Sequence, residues 1–315
     1  MRAKVGLLFA GYELTALIGK GGMADVYRAT ALTGPRAGQE VAVKQLKPEL
    51  ARDPEYVELF RQEALVTRRL HHPAVIEVLD AGVEEGRPYL VMDLVDGQNL
   101  RQILSQCAKR GILLPVDFGA YLGHQLALAL DHAHAGVDRE GRPLGIVHCD
   151  VSPSNVFISR LGEVKLGDFG VALTPGATKE ARQGAFGKIH YLAPEQLRGG
   201  RLTPRTDIFA LGAVLFELLT NQRAFPGTTV EEVGERILSG QLRAPSELRP
   251  EVPAGLDTLT LRCLVTNPED RWESAAALAT AIAARYDPAI GTPLAIAAVV
   301  RGLFGPTRPT LPRQA

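Results

Sequence analysis

Few cysteines, no net charge and no long apolar run mark this sequence, and each shortage excludes something. The three cysteines, Cys107, Cys149 and Cys263, are odd in number and widely spaced, with no CxxC pair. That supports neither a disulfide framework nor a zinc site, and it fits a reducing, cytoplasmic compartment. Lysine plus arginine equals aspartate plus glutamate at 35 each. No net field therefore draws the chain to nucleic acid or to an anionic membrane, and any phosphate binding must be local. The apolar stretch Leu294 to Val300 ends at Arg301 and Gly302, far short of the roughly 20 residues that cross a bilayer. Val5 to Ala10 is too short for a secretory leader and reads as a lead-in to a first strand. What the chain does have is 315 residues, 46% of them hydrophobic, enough for one large domain or two modest ones around a real core.

The pattern changes along the chain. Tyr12 to Ile18, Asp25 to Ala31 and Glu40 to Leu46 are short, β-branched or alternating, and divided by Gly-rich or Gly-Pro punctuation, which predicts strands and tight turns. Asp53-Pro54 signals a helix start, and Tyr56, Leu59, Phe60, Ala64, Leu65 and Leu70 follow at helical spacing up to His72-Pro73. Val75 to Leu79 and Pro88 to Leu94 read as two further strands. Beyond Asp96-Gly97 helices take over, at Val116 to His134, Arg205 to Thr220, Val230 to Leu238 and Leu256 to Leu264. Arg205 to Thr220 is apolar nearly all round, which places it inside. Thr292-Pro293 caps a short helix that runs to Phe304.

Taken singly, the residues with chemistry to offer have plain structural readings. Ile18-Gly-Lys20-Gly-Gly22-Met-Ala-Asp-Val26 lies between two strands, and its glycines would let backbone amides approach a triphosphate, yet Gly-rich hairpin turns are common. Lys44 on its strand reads as a solvated residue, and Glu63 on its helix as an exposed charge. The second half changes the balance. His148-Cys149-Asp150-Val-Ser152-Pro153-Ser-Asn155 is followed by Asp168-Phe169-Gly170, then by Ala193-Pro194-Glu195, Asp207 and Asp270-Arg271-Trp272, in one order and at fixed spacings.

In these motifs, from about Tyr12 to about Arg285, the chain resembles the bacterial eukaryotic-like (Hanks-type) serine/threonine protein kinases. The resemblance implies a bilobal α+β fold: a five-stranded antiparallel sheet with one helix over residues 12–93, a mainly helical lobe over 94–285, and a tail over 286–315. It implies ATP with Mg²⁺, or Mn²⁺ in its place, and protein substrates. Ile18, Gly19, Lys20, Gly21 and Gly22 would form the phosphate-covering loop, with Val26 facing the adenine, Ala42 packing on the base from the same lobe and Phe157 from below. Met92 would line the back of the adenine pocket, and Asp93 to Val95 would bond its edge. Lys44 would hold the α and β phosphates, oriented by Glu63; Asn155 and Asp168 would hold the metal; Asp150 would accept the hydroxyl proton. Glu195 with Arg271, and Asp207 with the catalytic-loop backbone, would be scaffold.

Several positions depart from the family. Ala24 stands for the loop's third glycine. Cys149 replaces the arginine that pairs with a phosphorylated activation segment, which predicts weak dependence on that modification; a packed thiol or a redox switch are the two readings of the cysteine itself. Ser152 replaces the lysine that steadies the γ-phosphate, a charge-assisted bond of about 1.5–3 kcal/mol. Lys188 stands where a threonine is usual, either reaching back to supply that missing charge or pointing to solvent. Thr174, Thr178 and Tyr191 are the activation segment's hydroxyl residues, the two threonines being candidate autophosphorylation sites. Ala135 to Leu144 reads as an inserted surface hairpin, tolerated or docking a partner. The tail after Pro293 is either a docking element for a regulatory partner or a cover for an apolar patch. A pseudokinase that binds nucleotide without transfer, a small-molecule phosphotransferase and a tyrosine kinase are the competing functions. The Ala-Pro-Glu segment with Arg271 weighs against the second, and Pro153 against the third.

Overall fold

The computed structural model describes residues 6–169 and 188–305. Six antiparallel strands form the first sheet in the order β1-β2-β3-β4-β6-β5, namely β1 (Leu7–Phe9), β2 (Tyr12–Lys20), β3 (Ala24–Ala31), β4 (Glu40–Leu46), β5 (Val78–Glu84) and β6 (Arg87–Asp93). The sheet thus has six strands where five were expected. Ala10 and Gly11 both take left-handed backbone (φ 50° and 83°). They turn Leu7–Phe9 back onto Tyr12–Leu14, so the lead-in is itself a strand. Phe9 is buried there, edge-on to Tyr89 with ring centroids 5.4 Å apart. The strand expected at Val75 to Leu79 begins instead at Val78, because Val75 is drawn into a parallel bridge with Leu166.

Register decides which side chains meet. Val26 lies opposite Lys44, and Ala42 opposite Met92. Since alternate residues of a strand share a face, Val26, Ala42, Lys44 and Met92 line one side of the sheet. Part of that side is covered by α1 (Pro54–Thr67), which packs Phe60 and Ala64 onto Leu46 and Leu90. Asp53 caps α1 by accepting from the Glu55 N–H at 2.9 Å, with Pro54 at the first helical position. The opposite side buries Leu14, Ala29, Val41, Val43 and Val91.

A second, three-stranded sheet follows, made of β7 (Gly97–Asn99), β8 (Val156–Ser159) and β9 (Val164–Leu166). Helices α2 (Leu100–Arg110) and α3 (Val116–Ala135) come between β7 and β8. After β9 the described elements are α4 (Pro194–Leu197), α5 (Pro204–Thr220), α6 (Val230–Ser239), α7 (Pro245–Leu248), α8 (Ala254–Cys263), α9 (Ala275–Ala283) and α10 (Pro293–Phe304). Every residue of α5 from Thr206 to Thr220 is buried, which explains its all-round apolar sequence; it packs on α3 and α8. Helix α10 buries Ile296, Ala297, Val300 and Leu303 in the same core as α2. Its start lies so close to the β8–β9 turn that a Cβ on Gly162 (φ 86°) would sit 1.7 Å from the Pro293 carbonyl, so only glycine fits. Among the described residues no helix is long and apolar enough to cross a membrane.

Candidate active site

Lys44 is the junction of the site. Its Nζ donates to Glu63 Oε1 at 2.5 Å and to Asp168 Oδ1 at 2.9 Å, tying β4, α1 and the segment after β9 to one ammonium. Glu63 is only 6% exposed, so it is a buried partner and not a solvated helix charge. Burial works against the charge on Lys44, but Asp168 and Glu63 outweigh it and hold the lysine above its ordinary pKa. Asp168 is held below the usual carboxylate range, first by Lys44 and, against its own burial, by Lys188. Glu63 is pushed up by burial, against the pull of Lys44.

Asp150 faces this group from the loop before β8. Its carboxylate accepts from Asn155 Nδ2 at 2.9 Å, and the same amide reaches the Asp150 carbonyl at 2.9 Å. Lys188 donates to Oδ2 of the same carboxylate. The loop is held from beneath by Asp207, fully buried on α5. Its Oδ1 accepts from the Cys149 N–H at 2.7 Å and its Oδ2 from the His148 N–H at 2.7 Å, with His134 Nε2 also 2.7 Å away. This grip holds Cys149 in an uncommon left-handed backbone state (φ 60°); Asp168, on the other side of the site, is left-handed as well (φ 63°). The Asp150 N–H donates to His148 Nδ1 at 3.2 Å, so the ring carries its proton on Nε2 and donates it to the Gly167 carbonyl at 3.1 Å. One buried imidazole thereby ties Asp150 to Gly167, the residue before Asp168, and the Gly167 N–H in turn donates to the Asn155 carbonyl at 2.9 Å.

Residues 12–282 match the protein kinase domain family. The chain belongs to the protein kinase family. It is 34% identical to the tyrosine-protein kinase MasK of Myxococcus xanthus over 87% of this chain and 43% of that protein. To the serine/threonine-protein kinase PknA of Mycobacterium tuberculosis it is 36% identical over 90% of this chain and 63% of that protein. The chain therefore spans less than two thirds of the length of these relatives. The crystal structure of the Mycobacterium tuberculosis PknI kinase domain superimposes with a TM-score of 0.66 at 29% identity, covering 90% of this chain and 100% of that one.

The remaining expected positions of the kinase domain fall as follows. The β2–β3 hairpin carries Gly19 opposite Val26, and Gly21 donates its N–H to the Ala24 carbonyl at 2.9 Å. Ile18, Lys20 and Gly22 are exposed there, whereas Ala24 is buried against α1's core. Phe157 lies on β8, paired with Asn99 and Lys165. The Asp93 N–H is committed to the Glu77 carbonyl at 3.0 Å and its carboxylate to Lys165 at 3.3 Å. Among the described residues the Val95 N–H takes part in no hydrogen bond.

Away from the cleft, Glu195 and Arg271 form a buried bidentate pair at 2.8 and 2.9 Å, with Arg271 also donating to the carbonyls of Val265, Arg205 and Thr266. The Cys149 thiol is pushed well above its ordinary value by burial and then by Asp207, Asp150 and Glu195, which favours the packed thiol over the redox switch. Tyr191 is buried, its hydroxyl bonded to Glu217 and Arg101, so it is not presented for phosphorylation. Thr174, Thr178 and Gly170 lie outside the described residues. The 135–144 insertion closes on Asp138, whose carboxylate accepts from the N–H groups of Glu140 and Arg142 and from the Arg142 and Arg69 side chains. The Arg101–Tyr191–Glu217 and Asp138–Arg69 ties were not anticipated from sequence, and neither was the capping box of Asn99 and Gln102 that starts α2.

Proposed function

We propose that this domain is a serine/threonine protein kinase that transfers the γ-phosphoryl group of Mg-ATP to hydroxyls of protein substrates. What carries the reading is the meeting, in one cleft, of Lys44, Glu63 and Asp168 with Asp150 and Asn155. A strand, a helix and two loops bring together polar and ionisable groups that packing alone gives no reason to gather.

The donor set fits a hard divalent cation. Magnesium is typically bound by one or two carboxylates and completed by phosphate and water, and Asp168 with the Asn155 amide oxygen is such a set. Asn155 spends its NH₂ on Asp150, and its Oδ1 has no partner among the described residues. Bound there, Mg²⁺ or Mn²⁺ would neutralise charge on the phosphates. Lys44, held between two carboxylates, would contact the α and β phosphates, and the Gly19 to Gly22 hairpin would cover them. Val26, Ala42, Met92 and Phe157 would enclose the base, with Asp93 and the unbonded Val95 N–H at its edge. Asp150 would take the proton of the acceptor hydroxyl as the new O–P bond forms and the bond to the β-phosphate oxygen breaks.

Protein substrates follow from the seating of residues 188–195, anchored by Glu195 on Arg271 and by Tyr191 on Glu217. A reaction that consumes ATP belongs in the cytoplasm. A regulatory partner at the tail would meet the outer side of α10, where Leu294 is 73% exposed. The test is transfer of radiolabel from ATP to a generic basic protein, with Asp150→Asn beside the parent. We expect a loss of about 10²–10⁴-fold; equal labelling would end the proposal. Phosphoamino-acid analysis should show serine and threonine, and label on tyrosine alone would place the domain with MasK instead.

A further inference from the structure

The catalytic loop of this chain supplies no cation. Ser152 is 1% exposed and its hydroxyl has no hydrogen-bond partner among the described residues, and a serine brings no charge to the cleft. The positive charge comes from elsewhere. Among the described residues, Lys188 is the one cation bonded to Asp150. It also helps to hold the Asp168 carboxyl ionised, so its charge is felt at both acidic groups of the site. Its backbone is fixed. The Lys188 carbonyl accepts from the Tyr191 N–H at 3.0 Å, and Ile189, His190 and Tyr191 beyond it are all buried. The side chain is 36% exposed, so Lys188 is anchored on Asp150 while part of it still reaches solvent.

We propose that Lys188 is the cation for the phosphoryl group in transfer, replacing from the segment before Ala193-Pro194-Glu195 the charge that Ser152 does not provide. This rests on the protein-kinase reading given above. An ammonium has three donors, so one bond to Asp150 leaves two for phosphoryl oxygens. A phosphoryl group that leaves the β-phosphate oxygen for a hydroxyl held by Asp150 would cross the space beside Asp150 and Asp168, and the Lys188 charge acts on both carboxylates. Charge spread over the equatorial oxygens in the transition state is stabilised best by donors already in place. The solvated alternative for this lysine does not account for its bond to Asp150.

Two measurements on the whole chain test the assignment, one of them independent of turnover. In steady-state kinetics with Mg-ATP, Lys188→Met should lower kcat about ten- to a hundredfold, the worth of one charge-assisted bond, with KM for ATP within about threefold. Adding Ser152→Lys to that variant should recover about tenfold or more, because it returns an ammonium to the same place from the loop side. In the binding measurement, Lys188→Met should weaken the complex with ADP, Mg²⁺ and aluminium fluoride, which imitates the phosphoryl group in flight, about tenfold or more while leaving ADP affinity unchanged. Thermal melting confirms that each variant is folded. Aluminium fluoride binding that is insensitive to Lys188→Met overturns the assignment whether or not the parent transfers phosphate. So does a loss that Ser152→Lys leaves unrescued in a folded double variant. A parent that binds the fluoride complex through Lys188 yet labels no protein would overturn the kinase reading instead.

Discussion

Replacing Asp207 by asparagine should damage the site more than its distance from the chemistry suggests. The two carboxylate oxygens divide their work, Oδ1 accepting from Cys149 and Oδ2 from His148, each at 2.7 Å, with Asp207 itself fully out of water. Asparagine has one acceptor and one NH₂, so either orientation sets a donor against a backbone donor. The variant forfeits a charge-assisted bond of about 1.5–3 kcal/mol and strands a buried N–H at about 1–3 kcal/mol. We expect a net loss of about 3–5 kcal/mol, which for a chain of this size lowers Tm by on the order of 10 °C. Where the stranded N–H is that of Cys149, it belongs to a left-handed residue next to Asp150, a conformation that costs about 1–3 kcal/mol and persists only while it is held. Turnover should therefore fall with KM for ATP nearly unchanged, since Lys44 and Asp168 are not touched. Scanning calorimetry and steady-state kinetics on the same preparation measure both. A Tm within about 2 °C of the parent together with full turnover would show that Asp207 does not set the loop.

Two further outcomes follow from the larger lobe. Burial tends to raise the Glu195 pKa, but the Arg271 bonds outweigh it and keep it below the ordinary 4.5. With the folded value the lower one, its stabilisation is complete above pH 4.5 and is lost as the pH falls through the folded value. Glu195→Gln should thus be less stable at pH 7, by about 3–5 kcal/mol if the stranded guanidinium finds no other partner, and should show a flatter stability profile below pH 5 in urea titrations; a profile as steep as the parent's would deny the pair its role. Deleting residues 291–315 uncovers the surface under Ile296, Ala297, Val300 and Leu303. It should lower solubility and Tm without changing kcat in the folded fraction, and a change in kcat with Tm preserved would favour the docking role for the tail.

What the sequence makes legible here divides along physical lines. Strand and helix periods place Lys44 and Glu63 on their elements, because those signals are local, whereas Asp150 and Asp168 stand out only through the resemblance their motifs carry. Their convergence is not local. Nothing in the spacing of Lys44, Glu63 and Asp168 says that one ammonium bridges the other two, and the likeness to protein kinases supplies that link before the distances do. The missed elements fail for a different reason. Helix α2 begins at a readable signal, Asn99 with Gln102, but its charged and amide-rich sequence masks the apolar face Leu100, Ile103, Leu104 and Cys107 that the core claims. Leu7–Phe9 is too short to show a period, and only the paired left-handed turn at Ala10 and Gly11 makes it a strand.

The two departures at Ser152 and Lys188 show where such reading stops. Each looks like a local defect when taken alone, one losing a charge and the other gaining it in an unexpected place. On the proposal made above, a buried serine hydroxyl with no partner among the described residues and an ammonium seated on Asp150 would be two halves of one electrostatic arrangement. The two positions lie 36 residues apart in the sequence, and such an exchange is visible only when the loop and the segment are seen together.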